Sequence, residues 1–193
     1  MKEKSVFLPD EEQIRAEMDR VTQHRRFMTA LRSTLLSIVA AMGAAVLICM
    51  LVMPVFRIFG TSMNPTLEDG DIVISSRLGK FKTGDLIVFY FNNKVLVKRV
   101  IAGPGDWVDM DAGGNVSVNS VPLEEPYLSE KSLGECDLSF PYQVPDERYF
   151  VLGDHRKTSV DSRSNSVGCI SEEQVVGRIL FRVWPFSKIQ RLR

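Results

Sequence analysis

Twenty-four consecutive residues, Ser33 to Phe56, carry no charge. As a helix they would extend about 36 Å, against about 30 Å for the hydrocarbon core of a bilayer. Leu35 to Met53 is apolar on every helical face, relieved only by Ser37 and Gly43. A buried helix of a soluble protein seldom stays apolar all round for this length. A cleaved signal peptide does not fit, because the run is too long for an h-region and begins too far from Met1. The sequence therefore predicts a transmembrane helix over 33–56, with a segment 1–32 before it and a folded domain 57–193 after it. Arg20, Arg25, Arg26 and Arg32 precede the run, with no acidic residue from Val21 to Arg32, and only Arg57 follows closely. Positive-inside bias then makes the chain a single-pass protein of the cell membrane, with its N-terminus cytoplasmic and 57–193 extracytoplasmic.

The 193 residues suit one folded domain plus appendages, and a formal net charge of zero gives no support to nucleic-acid binding. Cys136 and Cys169 fall in the outer domain, where a disulfide between them is chemically allowed. Two histidines and no Cys-x-x-Cys pattern argue against a metal site. Residues 9–27 read as a separate amphipathic helix, with Asp10 as cap, Glu11 and Glu12 in its first turn, and Ile14, Met18 and Val21 as an apolar stripe.

After Arg57 the period becomes strand-like. Candidate strands are 71–74, 85–91, 95–101, 107–110, 116–118, 149–152 and 175–184, separated by glycine-rich and polar turns. Many short strands with few helices predict a mostly β domain of barrel or sandwich character. Asn92-Asn93 predicts a tight hairpin, pairing strand 85–91 with strand 95–101. Residues 122–147 are the least periodic and read as a long loop.

Ser62 lies in Gly60-Thr61-Ser62-Met63-Asn64-Pro65-Thr66-Leu67, just beyond the predicted span. A serine on a Gly/Pro-bounded turn beside a membrane is a candidate hydrolytic nucleophile, and it needs a base. His24 falls on the cytoplasmic side. His155 and Lys98 both remain as candidates. A free lysine is protonated at neutral pH, with a pKa of about 10.4, but burial lowers that value. Val95, Val97, Val100 and Ile101 offer apolar surroundings to Lys98.

The segments Gly60 to Leu67, Gly70-Asp71, Gly84 to Phe89, Lys98 to Asp106, Gly153-Asp154, Ser159 to Arg163, and Gly168 occur in the order of the bacterial type I signal peptidases, which this chain closely resembles from about Phe56 to Trp184. The resemblance implies a twisted, mostly antiparallel, barrel-like β catalytic domain with a Ser–Lys dyad. It makes Ser62 the nucleophile and Lys98 the general base, with Ser159 and Asp161 positioning the lysine amine and Arg163 pairing with Asp161. The oxyanion region falls at Gly60 and Ser62. Phe56, Ile58, Met63, Leu67 and Val97 match positions that line the substrate pockets. The reaction implied is cleavage of N-terminal signal peptides, at small-x-small sites, from exported preproteins, with no metal or organic cofactor. The implied partners are those preproteins, the lipid bilayer and, as a further candidate, the secretion translocon, with no nucleic acid.

The chain departs from the family pattern at two positions. Gly60 stands where many relatives have serine, leaving backbone N–H groups such as that of Ser62 to hold an oxyanion. His155 stands where the family usually has asparagine. The short segment between Lys98 and Gly153 and the single anchor resemble the compact Gram-positive form. Alternative readings are a self-cleaving Ser–Lys repressor-type protease, a maturation peptidase dedicated to one secretion or pilus system, and a non-catalytic homologue acting in assembly. The first normally carries a DNA-binding headpiece, and the last normally lacks the serine or the lysine.

Overall fold

The computed structural model describes residues 10–192, so the start of the expected 9–27 helix and the final residue lie outside the described residues. The chain divides into two units, one ending at Ile48 and one beginning at Cys49. A single helix, α1, runs from Glu11 to Val52. The Asp10 carboxylate accepts the Glu11 N–H at 2.8 Å, and Glu11 and Glu12 occupy the first turn. The expected short helix and the expected anchor are thus one element. No glycine or proline lies between Arg26 and Ser33 to interrupt it. The hydroxyls of Thr34 and Ser37 donate to carbonyls four residues earlier, which satisfies them within the helix. The apolar stretch is long enough to cross a membrane.

α1 stops at Val52, short of the expected Phe56. Pro54 has no N–H to continue the ladder and disfavours a helical conformation at Met53. The end of the uncharged run instead enters strand β1, Val55–Arg57. There follow β2 (Ile72–Ser76), β3 (Leu86–Phe91), β4 (Lys94–Ala102), β5 (Trp107–Met110), β6 (Val116–Val118), β7 (Val121–Pro122), β8 (Tyr142–Gln143), β9 (Arg148–Leu152), β10 (Ile170–Ser171), β11 (Val175–Trp184) and β12 (Gln190–Arg191). One sheet has the order β1-β2-β11-β3-β4-β9-β10, with β12 beside β11, and the other has the order β7-β6-β5-β8. The paired strands are antiparallel, as expected. Both sheets are open paths, so the barrel-like expectation gives way to two open sheets. The extra strands β7, β8, β10 and β12 have two residues each, too short to show a period of two.

β3 holds the centre. Leu86 and Val88 pack with Met63, Leu67, Val73 and Ile179 on one side, while Ile87 and Phe89 pack with Val100, Val151 and Ile170 on the other. A strand buried on both faces reads as a continuous apolar run. The β3–β4 hairpin turns at Asn92 and Asn93, both at positive φ (44° and 62°), with Phe91 facing Lys94. β9 pairs with β4 from Arg99 onward, so among the described residues the outer edge of β4 before Arg99 has no strand partner. Among them β1 likewise pairs only with β2.

The loop expected at 122–147 is tied to the second sheet by β8, and Leu123, Leu133, Leu138 and Phe140 pack on the core. Cys136 and Cys169 are free thiols, which corrects the expected disulfide. Cys169 packs as a small apolar residue beside Phe150 and Leu152, and burial raises its pKa.

Candidate active site

The turn carrying Ser62 is pinned from beneath. Met63 and Leu67 are buried in the core, and the Leu67 N–H donates to the Met63 carbonyl at 2.9 Å. Leu67 is 0% exposed and is absent from the cleft lining. The Ser62 carbonyl accepts the His155 N–H at 3.0 Å. Gly60 has φ +88°, a conformation that side chains rarely adopt, although a Cβ there would meet open space. Glycine at this position therefore answers a backbone demand. Its N–H donates to Asp69 at 2.7 Å and is not free to hold an oxyanion. Among the described residues the Ser62 N–H has no intramolecular partner, which leaves it available.

Lys98 Nζ donates to Ser62 Oγ at 2.8 Å. The lysine is 3% exposed. Burial lowers its pKa from 10.5 to about 8, against the charge of Asp161, with the Arg163 charge lowering it further and that of Asp154 raising it. A neutral amine is thus accessible near neutral pH, and the contact can reverse so that the serine hydroxyl donates.

The segment after β9 closes the site. Asp161 receives two Arg163 hydrogen bonds, each of 2.8 Å, and the Gly153 N–H at 2.9 Å. Arg163 also donates to the carbonyls of Arg156 and Ser159. Ser159 is 5% exposed, and its hydroxyl has no hydrogen-bond partner. Among the described residues neither Ser159 nor Asp161 hydrogen-bonds the amine. The amine bonds to Ser62, and Asp161 acts on it through charge. Gly153 is wedged between: a Cβ there would lie 2.1 Å from Ser159 Oγ and 2.6 Å from the Ser62 carbonyl oxygen. The His155 ring sits 2.6 Å from Thr158 Oγ1, engaged away from the serine hydroxyl.

A cleft of about 610 Å³ opens beside Ser62. One wall is residues 55–60 with Met63, and the other is Lys94 to Val97. Phe56, Ile58, Met63 and Val97 line it.

Sequence reasoning missed a buried network behind the site. Arg99 donates twice to Asp154, at 2.9 and 2.6 Å, and Thr66 Oγ1 donates to the same carboxylate. The Arg99 guanidinium lies 3.8 Å from the Tyr127 ring centroid. The Tyr127 hydroxyl donates to Glu125, which forms a buried ion pair with Arg156, and Arg156 donates to the Gly153 carbonyl at 3.1 Å. Burial and the Glu125 charge raise the Tyr127 pKa. Arg99 and Asp154 adjoin Lys98 and His155 in sequence and were open to suspicion. Glu125 and Tyr127 lie in the aperiodic stretch and gave no signal. Among the described residues no group of His, Cys, Asp and Glu is arranged as a metal site.

The family profile described as Signal peptidase, peptidase S26 matches residues 31–184. The chain belongs to this family. Signal peptidase I of Bacillus licheniformis is 35% identical over 171 residues, spanning 80% of this chain and 89% of the relative. Signal peptidase IB of Staphylococcus aureus (strain Mu50) is 37% identical over 156 residues, spanning 70% and 80%. A crystal structure of a signal peptidase I from Enterococcus faecalis V583 is 28% identical with a TM-score of 0.43, and covers 52% of this chain and 97% of that one. The chain is accordingly a serine endopeptidase that cleaves signal peptides.

Proposed function

We propose that Ser62 and Lys98 are the nucleophile and general base of this peptidase. The 2.8 Å contact between them, on a lysine whose pKa burial has lowered to about 8, carries the reading. The neutral amine takes the Ser62 proton as Oγ attacks the scissile carbonyl carbon. The oxyanion accepts the free Ser62 N–H. The lysine ammonium then protonates the departing amine, which is the new N-terminus of the mature protein. Water, deprotonated by Lys98, hydrolyses the acyl-enzyme and releases the signal peptide with a new carboxylate.

The unpaired edges of β1 and β4 bound the cleft, which suits an extended substrate captured as an added strand. Its residues before the cut lie in the cleft. Phe56, Ile58, Met63 and Val97 line that cleft closely, which suits small side chains in a small-x-small site. Asp161, held by Arg163, acts on the lysine through charge, and Ser159 packs behind Gly153. The substrates are exported preproteins. The uncharged run anchors the chain in the bilayer by a single pass, with residues 1–32 in the cytoplasm and the β domain outside. Tethering raises the effective concentration of enzyme where preproteins emerge from the translocon.

The test is to incubate detergent-solubilised protein with one labelled preprotein and to sequence the new N-terminus. Cleavage should follow a small-x-small site, and both Ser62→Ala and Lys98→Ala should abolish it while keeping the native circular dichroism spectrum. Substantial cleavage by folded Lys98→Ala protein would overturn the dyad.

A further inference from the structure

Two cations stand on the walls of the otherwise largely apolar cleft, Arg57 on one side and Lys94 on the other. Both are exposed, and neither joins an ion pair among the described residues. No acidic residue lines the cleft to neutralise them. The backbone of each lies on a strand, Arg57 on β1 and Lys94 on β4. The Arg57 guanidinium lies 5.5 Å from the Phe59 ring centroid. Lys94 follows the Asn92-Asn93 turn directly, in register with Phe91. Strand alternation puts Lys94, Leu96 and Lys98 on the same side of β4.

We propose that Lys94, with Arg57 across the cleft, forms a cationic subsite that selects an acidic side chain at the fifth residue before the scissile bond. This rests on the assignment of Ser62 and Lys98 above. Four residue steps along β4 lead from Lys94 to Lys98, about 13 Å at strand rise. An extended substrate alongside β4 advances at the same rise. Its first residue before the cut sits level with Lys98, so its fifth sits level with Lys94. A carboxylate there meets two cations beside low-dielectric walls, and an ammonium meets repulsion. The pockets nearer Ser62 select size, and this subsite selects charge.

The test uses the full chain in neutral detergent micelles. Three peptides share one small-x-small site and differ only at the fifth residue before it, which is Glu, Gln or Lys. At low ionic strength kcat/KM should fall in the order Glu, Gln, Lys, with about a tenfold span that contracts at about 0.5 M salt. Lys94→Gln and Arg57→Gln should each narrow the span, and Lys94→Glu should reverse the order. Equal cleavage of the Glu and Lys peptides overturns the subsite, as does an unchanged order in Lys94→Glu. A charge effect seen only with vesicles of anionic lipid also overturns it, by assigning the cations to lipid phosphate. Failure of the dyad reading is separate: it appears as undiminished cleavage of the Gln peptide by Ser62→Ala.

Discussion

Lys98 is buried with an amine that water would keep charged, and this has an energetic consequence beyond catalysis. Its pKa in the folded chain is about 8, against 10.5 for the ordinary side chain. The native state therefore loses its proton first, and between those values the unfolded chain binds more protons. Stability from this residue rises with pH across that window, and below about pH 8 the full penalty of about 3 kcal/mol applies. Lys98→Met should thus be inactive yet more stable than the parent at about pH 6.5, with the gain shrinking as pH rises from 8 to 10.5. Urea denaturation at several pH values measures this, and a gain that does not depend on pH would contradict it. In the parent, kcat/KM should climb with pH through about 8 as the amine becomes neutral. Gly153 gives a second residue-scale expectation. A methyl group there would overlap both Ser159 Oγ and the Ser62 carbonyl oxygen. Gly153→Ala should therefore lower kcat by a hundredfold or more, on the order expected when reacting groups are displaced by about 1 Å, and single-turnover cleavage reads it. The pairing of Ser62 with Lys98 was legible through the family resemblance, since the residues taken alone left both His155 and Lys98 open as the base. Gly153-Asp154 carried the resemblance, but the wedge itself was not legible, because it needs Ser62 from a distant part of the chain beside Gly153.

At the scale of elements, the long strands β3, β4, β5 and β11 could be read from alternation or from continuous apolar runs, whereas the two-residue strands could not. The aperiodic stretch after β7 is the instructive case. It lacks a period because its side chains serve ion pairing and ring stacking instead of one buried face. Glu125 and Arg156 are both buried, and Tyr127 bridges that pair to Arg99 and Asp154. The loop thereby braces both the strand of Lys98 and the segment behind Ser62. Glu125→Ala leaves the Arg156 guanidinium buried without its carboxylate, a change that costs about 3–5 kcal/mol. Tyr127→Phe keeps the ring over Arg99 and loses only a hydroxyl, for about 1 kcal/mol. Replacing both ends, Glu125→Leu with Arg156→Met, should recover much of the Glu125→Ala loss. Chemical denaturation of the three variants checks the order. A Glu125→Ala loss no larger than that of Tyr127→Phe would mean that water already satisfies Arg156.

For the whole molecule, the decisive quantity is charge on either side of one apolar helix. α1 is continuous from Glu11 to Val52, so one crossing of a bilayer would put its two ends in different compartments. Arg20, Arg25, Arg26 and Arg32 cluster before the run, and Arg57 faces them from the other end. Retaining four arginines on the cytoplasmic side while moving one across is the favoured orientation. It also agrees with the proposed chemistry, since a nucleophile at Ser62 would then stand on the face where exported preproteins emerge. Protease added to intact spheroplasts should therefore digest residues 57–193 and spare α1 up to Arg32, while lysed spheroplasts should lose both. Neutralising Arg20, Arg25, Arg26 and Arg32 together should protect the β domain in a fraction of the molecules. Those molecules should keep a folded, peptide-cleaving domain after solubilisation but process no exported preprotein in the cell. Protection of the β domain in the parent chain would invert the topology and leave the Ser62–Lys98 geometry untouched, so the two readings stand or fall separately.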